Sequence, residues 1–204
     1  FVVLYKLADN LAGALVRPFL VQIGYNDFDV GIATATIGLF ATLLGTLLGG
    51  VLTTSMGLGH ALWVFGILQI ASNLGYVLIA DIGVDRALMY GAMAFESLTS
   101  GMGTGAFGVL LLRMTQKQFS ATQYALFSSL FALPRILAGP VTGLTVDAMG
   151  WHDFFILTMV IGIPGMVLLQ RFSPLGVRDP DMETLAAGHG MPITRRTLAL
   201  RALL

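Results

Sequence analysis

The chain has 204 residues, of which 56% are hydrophobic and only 11% charged, with a mean hydropathy of +0.83 and a formal net charge of zero. A soluble domain carries roughly 25% charged residues, so this chain lacks a hydrophilic outside, and lipid is its natural solvent. Charge neutrality excludes the basic field that recruits nucleic acid, and the absence of cysteine excludes disulfide frameworks and cysteine-ligated metal sites.

Phe1 lies inside an apolar stretch, so the N-terminus is expected to be cut from a longer chain. A bilayer-crossing helix needs about 20 mostly apolar residues. Six stretches meet that need: residues 1–23, 30–53, 61–80, 87–114, 121–146 and 154–169, the last being the shortest. Loop chemistry falls between them at 25–29, 57–60, 81–86, 115–118 and 147–153. Connections this short make consecutive helices antiparallel neighbours. A soluble helical bundle would carry a polar stripe on each helix, and such stripes are nearly missing here. The spans are therefore read as a six-helix transmembrane bundle over residues 1–172.

If the first helix runs outward, Arg113, Lys117, Arg171, Arg178, Arg195, Arg196 and Arg201 all fall in the cytoplasm, and only Arg86 falls opposite. Asp27, Asp29, Asp81, Asp85, Asp147 and Asp153 cluster on that opposite side. Because Lys and Arg resist translocation, the C-terminus is expected to be cytoplasmic. Residues 173–204 are polar, carry Pro174, Pro180 and Pro192, and read as a flexible cytoplasmic tail.

Five charges interrupt the apolar spans: Lys6, Asp9 and Arg17 in the first, Glu96 in the fourth and Arg135 in the fifth. Each costs about 2.5–3.5 kcal/mol at a lipid-facing helix centre, so they are expected to face a bundle interior or a watery cavity. Lys6 and Asp9 are three residues apart and share a helix face. Arg17 returns to nearly that face roughly 16 Å further along. The bland alternative is a local Lys6–Asp9 pair with Arg17 reaching the far headgroups. A carboxyl inside a bilayer can take up and release a proton, which makes Asp9 and Glu96 candidate proton carriers and Arg135 a candidate anion-binding group. Asn10, Asn73 and Gln123 are expected to add polar lining.

Gly45/Gly49, Gly101/Gly105 and Gly139/Gly143 have the spacing that lets helix backbones approach closely. The run from Gly103 to Gly108 spells G-x-G-x-x-G, but dinucleotide binding needs it between a strand and a helix. His60, His152 and His189 show no metal-ligand spacing. The chain contains neither H-E-x-x-H nor G-x-S-x-G, which weighs against an intramembrane hydrolase.

The run from Gly50 to Gly57 follows the G-x-x-x-D-R-x-G spacing found between the second and third helices of a major facilitator half, with Thr54 and Ser55 at the charged positions. Gly139-Pro140 through Gly143, Asp147, Gly150 and Trp151 resemble the region of helices 11 and 12 in that superfamily. More narrowly, four segments resemble AmpG-type muropeptide permeases of the peptide–acetyl-coenzyme A transporter family. They are Lys6-Leu7-Ala8-Asp9 through Pro18-Phe19-Leu20, Gly66-Ile67-Leu68-Gln69 with Ser72-Asn73-Leu74-Gly75, Glu96-Ser97-Leu98 with Gly101 to Thr104, and Phe119 to Leu126.

The resemblance covers roughly residues 1–169 and implies an all-α membrane protein, the six-helix half equivalent to helices 7–12. It also implies a missing N-terminal six-helix half and proton-driven import of an anhydro-muropeptide, or a similar anionic sugar-peptide, across a bacterial inner membrane. No cofactor is implied. Acetyl-coenzyme A or a siderophore-like solute is the alternative cargo. An intramembrane enzyme and a non-catalytic assembly partner are the alternatives of a different class.

Overall fold

The computed structural model describes residues 2–114 and 120–178, and all regular structure among them is helical. In chain order the elements are α1 (Val2–Ile23), α2 (Asp27–Gly31), a π-helical segment (Ile32–Gly38), α3 (Leu39–Met56), α4 (Leu58–Ser72), α5 (Leu74–Ile82), α6 (Arg86–Met114) and α7 (Ser120–Phe172). α2, the π segment and α3 run on as one rod, as do α4 and α5 around Asn73. α7 turns back at Gly150, whose φ of 83° opens a reversal that a side chain would strain. Among the described residues there are six helical passes, at 2–23, 27–56, 58–82, 86–114, 120–149 and 151–172.

The passes are the six expected, but they run further than apolarity alone indicates. Residues 27–29, expected as loop, start a helix: the Asn26 side chain accepts from Phe28 N at 3.0 Å, and Asp27 and Asp29 sit in the first turn. Acids there meet the positive end of the helix dipole. The expected loop at 147–153 is helical on both sides of Gly150, and the one at 57–60 shrinks to Gly57 with φ 89°. Hydropathy marks the most apolar stretch of each pass, whereas the helices continue beyond it. The expected loop at 115–118 and residues 179–204 of the expected tail lie outside the described residues.

Among the described residues, three passes combine the length and apolarity to cross a bilayer: Asp27–Met56, Leu58–Ile82 and Thr142–Arg171. α1 and α6 are long enough, at 22 and 29 residues, but carry the charges described above. Phe40 and Leu47 on α3 are 67% and 71% exposed, as suits a lipid-facing side.

Since lipid tails are as apolar as leucine, helices in a bilayer are held by close packing and hydrogen bonds rather than by water exclusion. The closest packing here is the α3–α6 seam. A Cβ on Gly49 would stand 2.6 Å from Met102 Cα, and one on Gly105 2.8 Å from Gly50 N. A Cβ on Gly45 or on Gly101 would reach 3.0 Å from Leu98 C or Thr46 N. The close approach expected of Gly45/Gly49 and Gly101/Gly105 is thus present. Gly143 does not share it, having nothing within 4 Å of its would-be Cβ. The G-x-G-x-x-G spelling lies wholly within α6, as helix-packing glycines would.

The interior is layered. One apolar cluster gathers Phe19 and Leu20 of α1, Tyr76 and Ile79 of α5, Met89 of α6 and Phe154 and Phe155 of α7. The Phe19–Phe155 and Tyr76–Phe155 ring centroids lie 4.8 and 5.1 Å apart. A second cluster gathers Leu58, Leu62 and Phe65 of α4, Phe107 and Leu110 of α6 and Met166 and Leu169 of α7. Between them, on the same helices, lie Gln69, Ser72, Asn73, Ser97, Thr99 and Thr158, all buried.

Both ends of the bundle are tied. Tyr25 OH lies 3.0 Å from Gly83 O and 2.9 Å from Asp85 O, and accepts from Asp85 N. Arg86 Nε lies 2.8 Å from Asp29 Oδ2, and the Tyr90 hydroxyl donates to the same carboxylate. Trp151 Nε1 donates to Gln22 Oε1, and His152 Nδ1 sits 2.7 Å from Asp81 Oδ1. At the other end, residues 173–178, the start of the expected tail, fold back over the α3–α4 corner as a strap. Trp63 Nε1 donates to Ser173 O at 2.8 Å, Gly59 N to Arg178 O at 2.9 Å, and Arg178 Nη2 to Ser55 O at 2.8 Å. Gly57 and Gly59 leave room for it: a Cβ on either would run into Arg178, Val177 or Ser173.

Candidate functional site

The polar layer opens into a cavity of about 430 Å³ lined by Asp9, Asn10, Gly13, Ala14, Glu96 and Ser100. α1 supplies the first four and α6 the last two. Asp9 and Glu96 each lie many residues from the ends of their helices, which puts two carboxyls at mid-depth of the bundle. Gly13 and Ala14, one turn beyond Asp9, are too small to close the space.

Both carboxyls are held by hydroxyls. Ser100 Oγ donates to Asp9 Oδ2 at 3.0 Å, bridging α6 to α1. Glu96 Oε2 accepts from Tyr76 OH and from Ser97 Oγ, each at 3.3 Å. Such bonds hold a carboxylate's direction and offset part of the cost of taking it out of water. Tyr76 is fully buried in the aromatic cluster, so Glu96 is moored to the interior of the bundle. Asn10 Nδ2, on the same cavity, is a buried donor without a hydrogen-bond partner among the described residues.

Asp9 also faces a second, much smaller pocket of about 10 Å³, shared with Gly66, Gln69, Ile70, Asn73, Gly162 and Met166. This pocket lies between α1, α4 and α7, and Asp9 is shared by the two linings.

Of the residues expected to line a route, Asp9, Asn10 and Glu96 come together at the large cavity and Asn73 at the small one. Arg17 is exposed and lines neither. The side chains of Lys6, Gln123 and Arg135 lie outside the described residues. Sequence reasoning passed over Ser100, Ser97, Tyr76 and Gln69. Ser100 was within reach of it, being one helical turn from Glu96 on the same face. Tyr76 and Gln69 carried no such signal, because a lone polar group in an apolar stretch does not show its partner. Among the described residues, no group of three or more His, Asp or Glu is placed to hold a metal ion.

No protein-family model matches the chain. It is similar to the anhydromuropeptide permease of Escherichia coli K12, with 44% identity over 203 residues. That match covers 97% of this chain and 41% of the permease. It is also similar to a putative transporter AmpG 1 of Rickettsia prowazekii, 31% identical over 171 residues, which covers 84% of this chain and 39% of the relative. The chain thus spans about two fifths of the length of the curated relatives it matches. The resemblance to AmpG-type permeases holds along nearly its whole length.

Proposed function

We propose that this AmpG-like chain is the C-terminal six-helix half of a major facilitator-type transporter, and that the whole protein couples proton entry to import of an anhydro-muropeptide or similar anionic sugar-peptide. The observation that carries the reading is the mid-depth cavity with its two hydroxyl-bonded carboxyls, Asp9 and Glu96. Its volume of about 430 Å³ falls within the ~300–1,000 Å³ of small-molecule sites. A site between two halves, each supplying one wall, is the arrangement that lets a membrane protein expose its cargo alternately to either side. The share of the relatives that the chain covers fits one such half.

In this reading, the missing N-terminal half closes the cavity, the bilayer is the inner membrane, and the C-terminus faces the cytoplasm. The excess of Lys and Arg at that end supports the orientation. Asp9 or Glu96 accepts a proton as cargo loads and releases it on the opposite side. Asn10 offers an amide to the sugar or peptide, and Lys6 and Arg135 balance the negative charge of cargo and carboxylates. Arg17, near the far headgroups, serves steering rather than coupling.

The test is uptake of labelled anhydro-muropeptide into vesicles carrying the full-length protein, with and without a proton gradient. Gradient-dependent uptake that is lost in Asp9→Asn or Glu96→Gln identifies the coupling carboxyl. Full gradient-driven uptake in both variants removes both from that role. Absence of uptake by the unaltered protein withdraws the muropeptide assignment.

A further inference from the structure

The open side of α1 differs from that of its neighbours. α3 presents Phe40, Leu43, Leu44 and Leu47 turn after turn, and the last pass presents Val160, Ile163 and Val167, every one of them more than half exposed. From Asp9 to Pro18, the exposed positions of α1 are Gly13, Ala14, Arg17 and Pro18, with no large apolar side chain among them. An arginine at a lipid-facing helix centre costs about 2.5–3.5 kcal/mol, and a glycine or alanine there forgoes the contacts that a longer side chain would make. This side of α1 is therefore built for something other than lipid.

Two fillings suit small residues: a second helix at close range, or a ligand that must approach the backbone. The surroundings decide between them. Gly13 and Ala14 line the cavity of about 430 Å³ together with Asp9, Asn10, Glu96 and Ser100. A helix laid into that space would press two carboxyls and an amide against its own apolar surface, at a cost that a polar ligand does not incur. Nothing lies within 4 Å of a would-be Cβ on Gly13, whereas Gly45, Gly49, Gly101 and Gly105 are each met by a neighbouring backbone.

We propose that Gly13 and Ala14 set the size limit of the cargo site. They form a flat stretch of wall against which a sugar ring, the bulkiest rigid part of such a cargo, lies close to the α1 backbone. The polar groups of the same lining then face its hydroxyls and amides. For the identity of the cargo the inference rests on the function proposed above, whereas the open wall does not.

The test is the kinetics of labelled anhydro-muropeptide uptake into vesicles carrying the full-length protein. Gly13→Leu and Ala14→Leu are each expected to raise KM about tenfold or more, as pockets do when a carbon group no longer fits, and to change kcat far less. Gly13→Ala adds one methyl, is expected to raise KM less, and serves if the leucine variants do not assemble. Gly91→Leu is the control: its position on α6 is exposed, has nothing within 4 Å of its would-be Cβ, and belongs to neither lining. A KM unmoved by the Gly13 and Ala14 variants, or moved equally by the control, overturns the proposal.

Thiol labelling separates this failure from failure of the muropeptide reading. The chain has no cysteine of its own, so Gly13→Cys and Ala14→Cys each give this half a single thiol. In a full-length protein with no other cysteine, both are expected to react with a membrane-impermeant maleimide, in right-side-out or in inverted vesicles. Reactive thiols in a protein that imports no anhydro-muropeptide keep the open wall and sink the cargo assignment. Thiols unreactive at both positions in both kinds of vesicle show a helix packed there and overturn the proposal.

Discussion

Replacing Gly49 with alanine tests whether the α3–α6 seam is limited by backbone contact. The new Cβ would stand 2.6 Å from Met102 Cα, against 3.4–4 Å for ordinary contact, so the helices must part by about 1 Å. A gap of ~1 Å forfeits up to about half of each dispersion contact along the seam, and overpacking costs about 1–3 kcal/mol. Alanine also returns up to ~1 kcal/mol of helix propensity, which would blur a single measurement. Gly50 is the built-in control, because its neighbouring position gives the same propensity gain and nothing lies within 4 Å of its would-be Cβ. The difference between Gly49→Ala and Gly50→Ala is therefore expected to be ~1–3 kcal/mol, read from unfolding of the purified protein in mixed detergent. Equal stabilities, within about 0.5 kcal/mol, would refute the seam argument.

Gly59→Val is expected to push residues 173–178 off the α3–α4 corner, since the added Cβ meets Val177 and Ser173. Trypsin cleavage after Arg178 should then speed up severalfold, and an unchanged rate would show that the strap does not protect that bond. Tyr25→Phe removes the hydroxyl that joins the Gly83 and Asp85 backbone. It is expected to cost about 1–3 kcal/mol in the same unfolding assay, and a loss below the error of the measurement would show that water replaces the hydroxyl there.

The layering of the core is legible in the sequence once the passes are aligned. Leu58, Leu62 and Phe65, then Gln69, Ser72 and Asn73, then Tyr76 and Ile79 already read apolar, polar, apolar along one pass. The glycine pairs 45/49 and 101/105 were readable because a spacing of four residues puts both members on one face. Gly143 had the same signal and faces open space, because spacing names a face without saying what covers it. Helix ends were misjudged at 27–29 and 147–153 for a single reason. Acidic and aromatic residues at the ends of the passes look like loop to a hydropathy scale, yet the helices run on through them. In the cavity, the carboxyls stood out by their cost in lipid. Their partners Tyr76, Ser97 and Ser100 did not, because hydroxyls are cheap enough in a membrane helix to pass unnoticed.

The strap also bears on how the protein is made. Its Trp63–Ser173 and Arg178–Ser55 bonds join positions 110 and 123 residues apart. A chain inserted pass by pass has nothing to offer Trp63 or the Ser55 carbonyl until its last helix has left the ribosome. Trp63 then waits through the synthesis of three further passes, and the Ser55 carbonyl through four. The closing of the α3–α4 corner thus records that the final pass has been threaded in the right direction, since an inverted last helix would deliver residues 173–178 to the wrong side of the bilayer.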